Sequence, residues 1–169
     1  MQKCFKPIIT IAKVGLMISM RSKYAIKALS FMARSRDKDS YLIAELAAAE
    51  NIPKKFLEAI LLTLKSQGIL ASRKGPGGGY WLAKAPAAIT LGSIIRAFEG
   101  DLAPVQCLSE NATGACPECQ DVATCATRLV MADVQKAVSA IIDSVTLADM
   151  IERTEFERQR LSMQLNFSI

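Results

Sequence analysis

Apolar positions along the chain change their period several times, and each change marks an element. Tyr24, Ile26, Leu29, Phe31 and Met32 recur at mainly helical spacing, predicting a first helix over about residues 21–35. Arg36 to Ser40 is a polar linker. Residues 43–50 read as a short Ala-rich helix followed by Asn51, which tolerates the left-handed backbone of a tight helix–helix turn. Pro53 suits the first turn of the next helix. There Phe56, Leu57, Ile60, Leu61 and Leu64 form an apolar stripe that ends at Gly68, a C′ stop. Two short helices joined by a few residues make a helix-turn-helix candidate.

The segment after Gly68 sharpens that reading. The β-prone runs 69–72 and 80–82 flank Gly-Pro-Gly-Gly-Gly, predicting a hairpin directly after the second helix. Helix, turn, helix and hairpin is the winged arrangement. Thr90 then caps a helix over about 91–99 with Gly100 as its stop. Residues 101–122 read as a loop. A long helix comes next, carrying Leu129, Val130, Val134, Val138, Ile141, Ile142 and Val145 on one stripe. That is more apolar surface than a small domain needs for its own core, so it reads as a dimerisation helix. Thr146 and Asp149 form a capping box for a last, short helix. The expected fold class is mainly α with a small β-hairpin: a winged helix-turn-helix domain plus a long dimerisation helix. Its divisions are a DNA-binding domain at 20–100, a cysteine loop at 101–126, the dimerisation and short C-terminal helices at 127–155, and a tail at 156–169.

The N-terminal stretch needs separate treatment. Lys3 and Lys6 before the apolar run 8–18 faintly resemble the start of a signal peptide. Lys13 interrupts the run, no small-x-small cleavage site follows, and the run is too short to span a bilayer. Residues 1–19 therefore read as an extension from an upstream start codon, and no membrane association is expected.

Charge changes the picture more than composition does. The 169 residues are 51% hydrophobic with a net charge of +5, as in a globular chain. Residues 1–100 hold 16 Lys/Arg against 6 Asp/Glu, whereas residues 101–169 hold 5 against 10. A basic first part beside an acidic second part suits a polyanion binder joined to a part with another task. Lys54 and Lys55 stand at the N-terminus of the second helix of the pair, where they oppose the helix dipole. Phosphate contact explains them better than helix stability does. Glu58, one turn on, can accept from a cytosine amino group in the major groove. Arg73 and Lys74 precede the wing glycines Gly75, Gly77 and Gly78. Glycine lets backbone approach the sugar-phosphate chain, and arginine suits a narrow minor groove. Aromatics are too sparse for a single-strand stacking platform, so the expected partner is double-stranded DNA.

The chain has no histidine, which removes His-based triads, His general bases and His metal ligands. No other nucleophile–base pair is visible, and an enzyme is not expected. Four of five cysteines, Cys107, Cys116, Cys119 and Cys125, cluster within nineteen positions. In the reducing cytoplasm expected for a DNA-binding chain, such a cluster suits a soft metal centre or redox sensing better than structural disulfides. Iron–sulfur, zinc on four thiolates, metal-free thiol oxidation and inert cysteines all remain open on spacing alone. Cys4 lies apart and is assigned nothing.

In order, Arg21-Ser22-Lys23-Tyr24-Ala25, Leu57-Glu58, Lys74-Gly75-Pro76-Gly77-Gly78-Gly79-Tyr80 and Thr146-Leu147-Ala148-Asp149 resemble the IscR/NsrR/CymR-type (Rrf family) bacterial transcription regulators. The likeness covers about residues 20–152. It implies a homodimer, with one recognition helix in each half of a pseudo-palindromic site, and repression as the usual outcome. It also implies that Glu58 helps to read the operator, that Lys74 is the basic wing residue, and that Arg21 and Tyr24 join the DNA contacts. In sensing members, three loop cysteines hold an iron–sulfur cluster, and Cys119-x5-Cys125 reproduces the last family interval. Cys107 lies farther upstream than the family's first cysteine, and Cys116 is additional. The histidine ligand of [2Fe–2S] members is replaced here by Arg128, and the aspartate ligand of some [4Fe–4S] members by Lys23. An all-thiolate set of four cysteines leaves the cluster type undetermined. The competing class is a winged-helix interaction module or regulator, metal-independent or zinc-containing, that a gel shift would separate from a DNA-binding regulator.

Overall fold

The computed structural model describes residues 18–35, 38–112, 116, 119 and 121–166. The expected N-terminal extension, apart from its last two residues, lies outside them, as do Cys4, parts of the cysteine loop and residues 167–169.

Helix α1 (Met20–Arg34) begins where the Ser19 hydroxyl accepts from the Ser22 N–H. It buries Ala25, Ala28, Leu29, Met32 and Ala33, and the small residues among these let its neighbours approach closely. Helix α2 (Ile43–Glu50) ends at Asn51, the one non-glycine residue at positive φ among the described residues (φ 51°, ψ 52°). Helix α3 (Lys54–Ser66) follows Pro53 and buries Leu57, Ile60, Leu61 and Leu64 of the expected stripe, with Phe56 half-buried at its edge. It closes with both bonds of a Schellman motif, Ile69 N–H to Leu64 O and Gly68 N–H to Lys65 O, each 3.0 Å. Gly68 supplies the positive φ of 65° that this motif requires.

The wing is an antiparallel hairpin of β1 (Leu70–Arg73) and β2 (Gly79–Leu82), with Leu70 opposite Leu82 and Arg73 opposite Gly79. A third segment completes it. Tyr41 N–H donates to Tyr80 O at 2.8 Å and Tyr80 N–H to Tyr41 O at 2.9 Å. Helix α4 (Leu91–Glu99) has its Thr90 cap and Gly100 stop as expected. Helix α5 (Ala126–Ser144) is followed by α6 (Leu147–Asn166).

The chain returns to its start after α5. Leu91 N–H donates to Val145 O and Leu147 N–H to Ile89 O, both 2.8 Å, so the start of α6 is laced to the start of α4. The Thr146–Asp149 box is reciprocal: Thr146 N–H donates to the carboxylate at 2.8 Å and Asp149 N–H to the Thr146 hydroxyl at 3.1 Å. Leu147 is thereby fully buried in one core with α1–α4, beside Leu29, Leu46, Leu57, Ile60, Leu61 and Leu64. Each such side chain contributes about 1.5–3 kcal/mol of transfer free energy.

Two expectations are corrected. The last helix is 20 residues long and runs to Asn166, not a short helix with a tail from 156. No glycine or proline interrupts 147–166, and the i,i+3 pairs Glu155–Arg158 (3.0 Å) and Glu157–Arg160 (2.7 Å) favour continuation. The α5 stripe also stops one residue early, because Val145 has extended dihedrals and forms the helix C-cap.

Helix α5 is unusual in its packing. None of its 19 residues is buried, and Leu129, Val130, Val134 and Ile141 are 37–63% exposed. It is held to the body by the Arg96–Asp143 pair from α4, bidentate at 2.5 and 2.8 Å. Gly92 makes room for that pair, since a Cβ there would lie 1.9 Å from Asp143 Oδ1.

Candidate nucleic-acid interface and cysteine loop

The first turn of α3 contains Lys54 and Lys55 and no acidic residue, and Glu58 follows on the same exposed surface. The apolar stripe faces α1, so these three side chains have nowhere to go but outward. Arg21, at the start of α1, lines one cleft of about 410 Å³ with Lys55, Phe56, Ala59, Thr63 and Phe98. The structure thus brings Arg21 and Lys55 together across the α1–α3 junction. Tyr24 is half-buried, its ring edge-on to Phe56 with centroids 5.7 Å apart, so it helps fix the angle between α1 and α3.

The wing glycines divide into two kinds. Gly75 (φ 98°) and Gly77 (φ 71°) supply positive φ in open surroundings. Gly78 and Gly79 are needed for space: a Cβ at 78 would meet Arg73 O at 2.3 Å, and one at 79 would meet Tyr41 O at 2.7 Å. Arg73 Nη2 donates to Gly77 O at 3.3 Å, tying the arginine back over the tip, while Lys74 and Gly75 remain exposed.

Ion pairing sorts the cations. Lys27 and Arg34 both face Glu50, at 3.5 and 3.4 Å, and Lys38 pairs with Glu45. Among the described residues, Arg21, Lys54, Lys55, Arg73 and Lys74 form no ion pair. The first turn of α3 and the wing thus carry cations without a counter-charge, and exposed Lys23, Lys65 and Lys84 elsewhere in the domain are likewise unpaired among the described residues.

Sequence reasoning passed over Lys38, Ser40 and Trp81, which line a second cleft of about 540 Å³ beside Arg73 and Gly77. Ser40 Oγ donates to Gly77 O at 3.3 Å. The available signal was weak: Trp81 is the one tryptophan of the chain, and Lys38 sat in a stretch read only as a linker.

Of the loop cysteines, Cys107 lies in a 3-10 turn (Gln106–Leu108), and all four are half-buried free thiols. Cys119 Sγ lies 3.5 Å from Cys125 Sγ, and its N–H donates to Cys116 O at 3.1 Å. Hydrogen bonding to Cys116 and then to Cys125 pushes the Cys119 thiol up to about 12. Cys125 is the N-cap of α5, and the Arg128 backbone N–H, followed by the Cys119 thiol, holds it below the usual thiol range. Asp121 braces the approach, accepting from Ala123 N–H at 2.9 Å and from the Thr124 hydroxyl at 2.8 Å.

Among the described residues, no group of three or more side chains stands ready as a metal cage. The donor chemistry nevertheless fits a thiolate centre. With metal–sulfur bonds of about 2.3 Å, the edge of a tetrahedron is about 3.8 Å, close to the Cys119–Cys125 separation. Cys116 adjoins through its hydrogen bond with Cys119. The buried Arg128 Nε, which has no hydrogen-bond partner, supplies an idle donor at the same helix end.

Known proteins resemble the chain in sequence and fold. The Rrf2 family profile, described as iron-dependent transcriptional regulators, matches residues 18–153. An rrf2-like HTH-type transcriptional regulator of Rhodobacter capsulatus is 42% identical over 138 residues, spanning 80% of this chain and 92% of that protein. CymR, the global cysteine regulator of Bacillus subtilis, superposes with a TM-score of 0.66 at 28% identity, covering 82% of this chain and 98% of CymR. IscR of T. potens superposes with a TM-score of 0.63 at 27% identity, covering 83% and 89%. No helix among the described residues is long and apolar enough to cross a membrane. With a winged helix-turn-helix that carries Lys54, Lys55, Arg73 and Lys74 without ion pairs, the chain belongs to the Rrf2 family of DNA-binding transcriptional regulators and is not an enzyme.

Proposed function

We propose that the chain acts as a homodimeric repressor on a pseudo-palindromic operator, its affinity set by a metal–thiolate centre or by the thiol state of the cysteine loop. Each α3 enters a major groove by its Lys54 end, with Glu58 toward base edges, while Arg73 and Lys74 on the wing meet the flanking minor groove. Arg21 contacts the backbone beside Lys55. The observation that carries this reading is that Lys54 and Lys55 on α3 and Arg73 and Lys74 on the wing are exposed and form no ion pair, whereas Lys27, Arg34 and Lys38 are paired with Glu50 and Glu45. Two copies pair through the exposed α5 stripe, because an isolated 19-residue helix with Leu129, Val130 and Ile141 in water forfeits their burial energy.

An iron–sulfur cluster, the centre best supported by resemblance, would cross-link the loop and give it charge and redox sensitivity when bound; zinc is the alternative. Cys107, Cys116, Cys119 and Cys125 would hold it. Cys125 caps α5, and α5 is tied to α4 by Arg96–Asp143, so a change at the loop reaches the helix that sets the spacing of the two recognition helices.

A gel shift against the promoter of its own gene tests the DNA reading. Replacing Lys54, Lys55 and Lys74 together by alanine removes six phosphate contacts per dimer. The slope of log affinity against log salt should become shallower by about 5. Unchanged affinity refutes the assigned surface. Anaerobic reconstitution with an absorption spectrum and iron, sulfide and zinc assays tests the loop. A colourless protein free of iron removes the cluster, and bound zinc supports the alternative.

A further inference from the structure

Arg128 lies one turn into α5 from the capping Cys125, so the two share a helix face. Its Nε is shielded from solvent and is the one buried side-chain donor without a partner among the described residues. An unmet buried donor costs about 1–3 kcal/mol, and more when it is charged. Such an orphan calls for an acceptor, and the guanidinium lies within Coulombic reach of the Cys125 sulfur. Four thiolates on zinc(II), or on an iron–sulfur cluster whose own charge is +2, leave the same net charge of −2. In a half-buried loop that charge needs nearby donors. Asp121 and Glu110, the neighbouring carboxylates, cannot serve.

We propose that Arg128 is the charge-compensating positioning residue of the cysteine loop, its Nε–H donating to a metal-bound sulfur once the thiols have lost their protons. The proposal rests on the reading of the loop as a metal–thiolate centre. It explains why a donor is left idle in the metal-free chain: the acceptor is created by thiol deprotonation on metal binding. Arg128 stands one turn beyond the last cysteine. There the residue acts through charge and a hydrogen bond and does not ligate.

The test uses the full chain as wild type, Arg128→Gln, Arg128→Lys and Lys136→Gln. The last removes the same charge from an exposed position on the same helix. Zinc(II) affinity is measured by competition with a chromophoric chelator. Iron retention is measured after anaerobic reconstitution with ferrous iron and sulfide, which shows whether the role holds for either centre. Arg128→Gln should lose about 10- to 100-fold in metal affinity, the range for an outer-shell partner, with Arg128→Lys in between and Lys136→Gln unchanged. In the metal-free protein, the thermal midpoint of Arg128→Gln should equal or exceed that of the wild type, because an unmet charged donor is replaced by a shorter, neutral amide. A lower metal-free midpoint makes Arg128 structural and overturns the proposal. Wild-type affinity in Arg128→Gln overturns it too, while leaving the thiolate centre intact. A wild-type chain that binds neither metal overturns both.

Discussion

Replacing Gly79 by alanine tests whether the wing is anchored through backbone contact with Tyr41. Gly79 has φ +149°, in the left-handed half of the map, and its missing Cβ would stand 2.7 Å from Tyr41 O and 3.0 Å from Tyr41 C. Both opposing atoms are backbone, so no side chain can swing aside. The hairpin must retreat and lengthen the two Tyr41–Tyr80 hydrogen bonds, now 2.8 and 2.9 Å. Backbone strain of about 1–3 kcal/mol adds to about 1 kcal/mol for each weakened bond, or about 4 kcal/mol in all. At this chain length that lowers Tm by roughly 10 °C. Gly77→Ala is the matched comparison: its φ is +71° but nothing lies within 4 Å of the new Cβ. It should cost about 1–2 kcal/mol, a Tm loss of roughly 4 °C. Thermal unfolding followed by circular dichroism compares the two variants directly. Equal losses would refute the argument that close approach to Tyr41, and not φ alone, holds the wing.

Three further outcomes depend on the same geometry. Glu58→Ala should weaken operator binding by about 1–3 kcal/mol while leaving binding to unrelated duplex intact; equal loss on both in a fluorescence titration excludes base readout. Leu129→Glu with Ile141→Glu should halve the mass seen by ultracentrifugation with helicity retained, since both side chains are exposed in the single chain; an unchanged mass rules out the α5 interface. Asp143, beside Arg96, and Asp149, bonded to Thr146, are both held below the ordinary carboxylate value of 3.8. Their stabilisation is complete above that value and is lost as pH falls through the lower folded-state values. Asp143→Asn with Asp149→Asn should therefore flatten the acid side of a Tm–pH profile, and an identical profile would contradict the assignment.

Much of this architecture is decided by residues a few positions apart, and such rules are readable in the chain alone. The α3 stripe, the Asn51 turn, the Gly68 stop, the Thr90 cap and the Thr146–Asp149 box each depend on contacts within about one turn, and each stands where the sequence implied. The wing was legible for the same reason, because a glycine run between two β-prone segments has few other solutions. Helix α6 runs past the expected end at 155 because i,i+3 charged pairs sustain it and no glycine or proline stops it.

Tertiary structure alone decided the features that join distant segments. Tyr41 pairs with Tyr80 through backbone groups, which every residue carries and no pattern announces. Glu50 pairs with Lys27 and Arg34, while Lys54, Lys55 and Lys74 form no ion pair; composition counts these cations but cannot say which are neutralised. Arg96 meets Asp143 from 47 residues away, and Gly92 matters only because that meeting happens. Cysteine spacing suggested a soft centre, yet the 3.5 Å approach of Cys119 to Cys125 and the orphaned Arg128 Nε depend on how α5 begins in space. Local chemistry set the elements of this regulator, while long-range packing determined which of its charges and sulfurs are available to act.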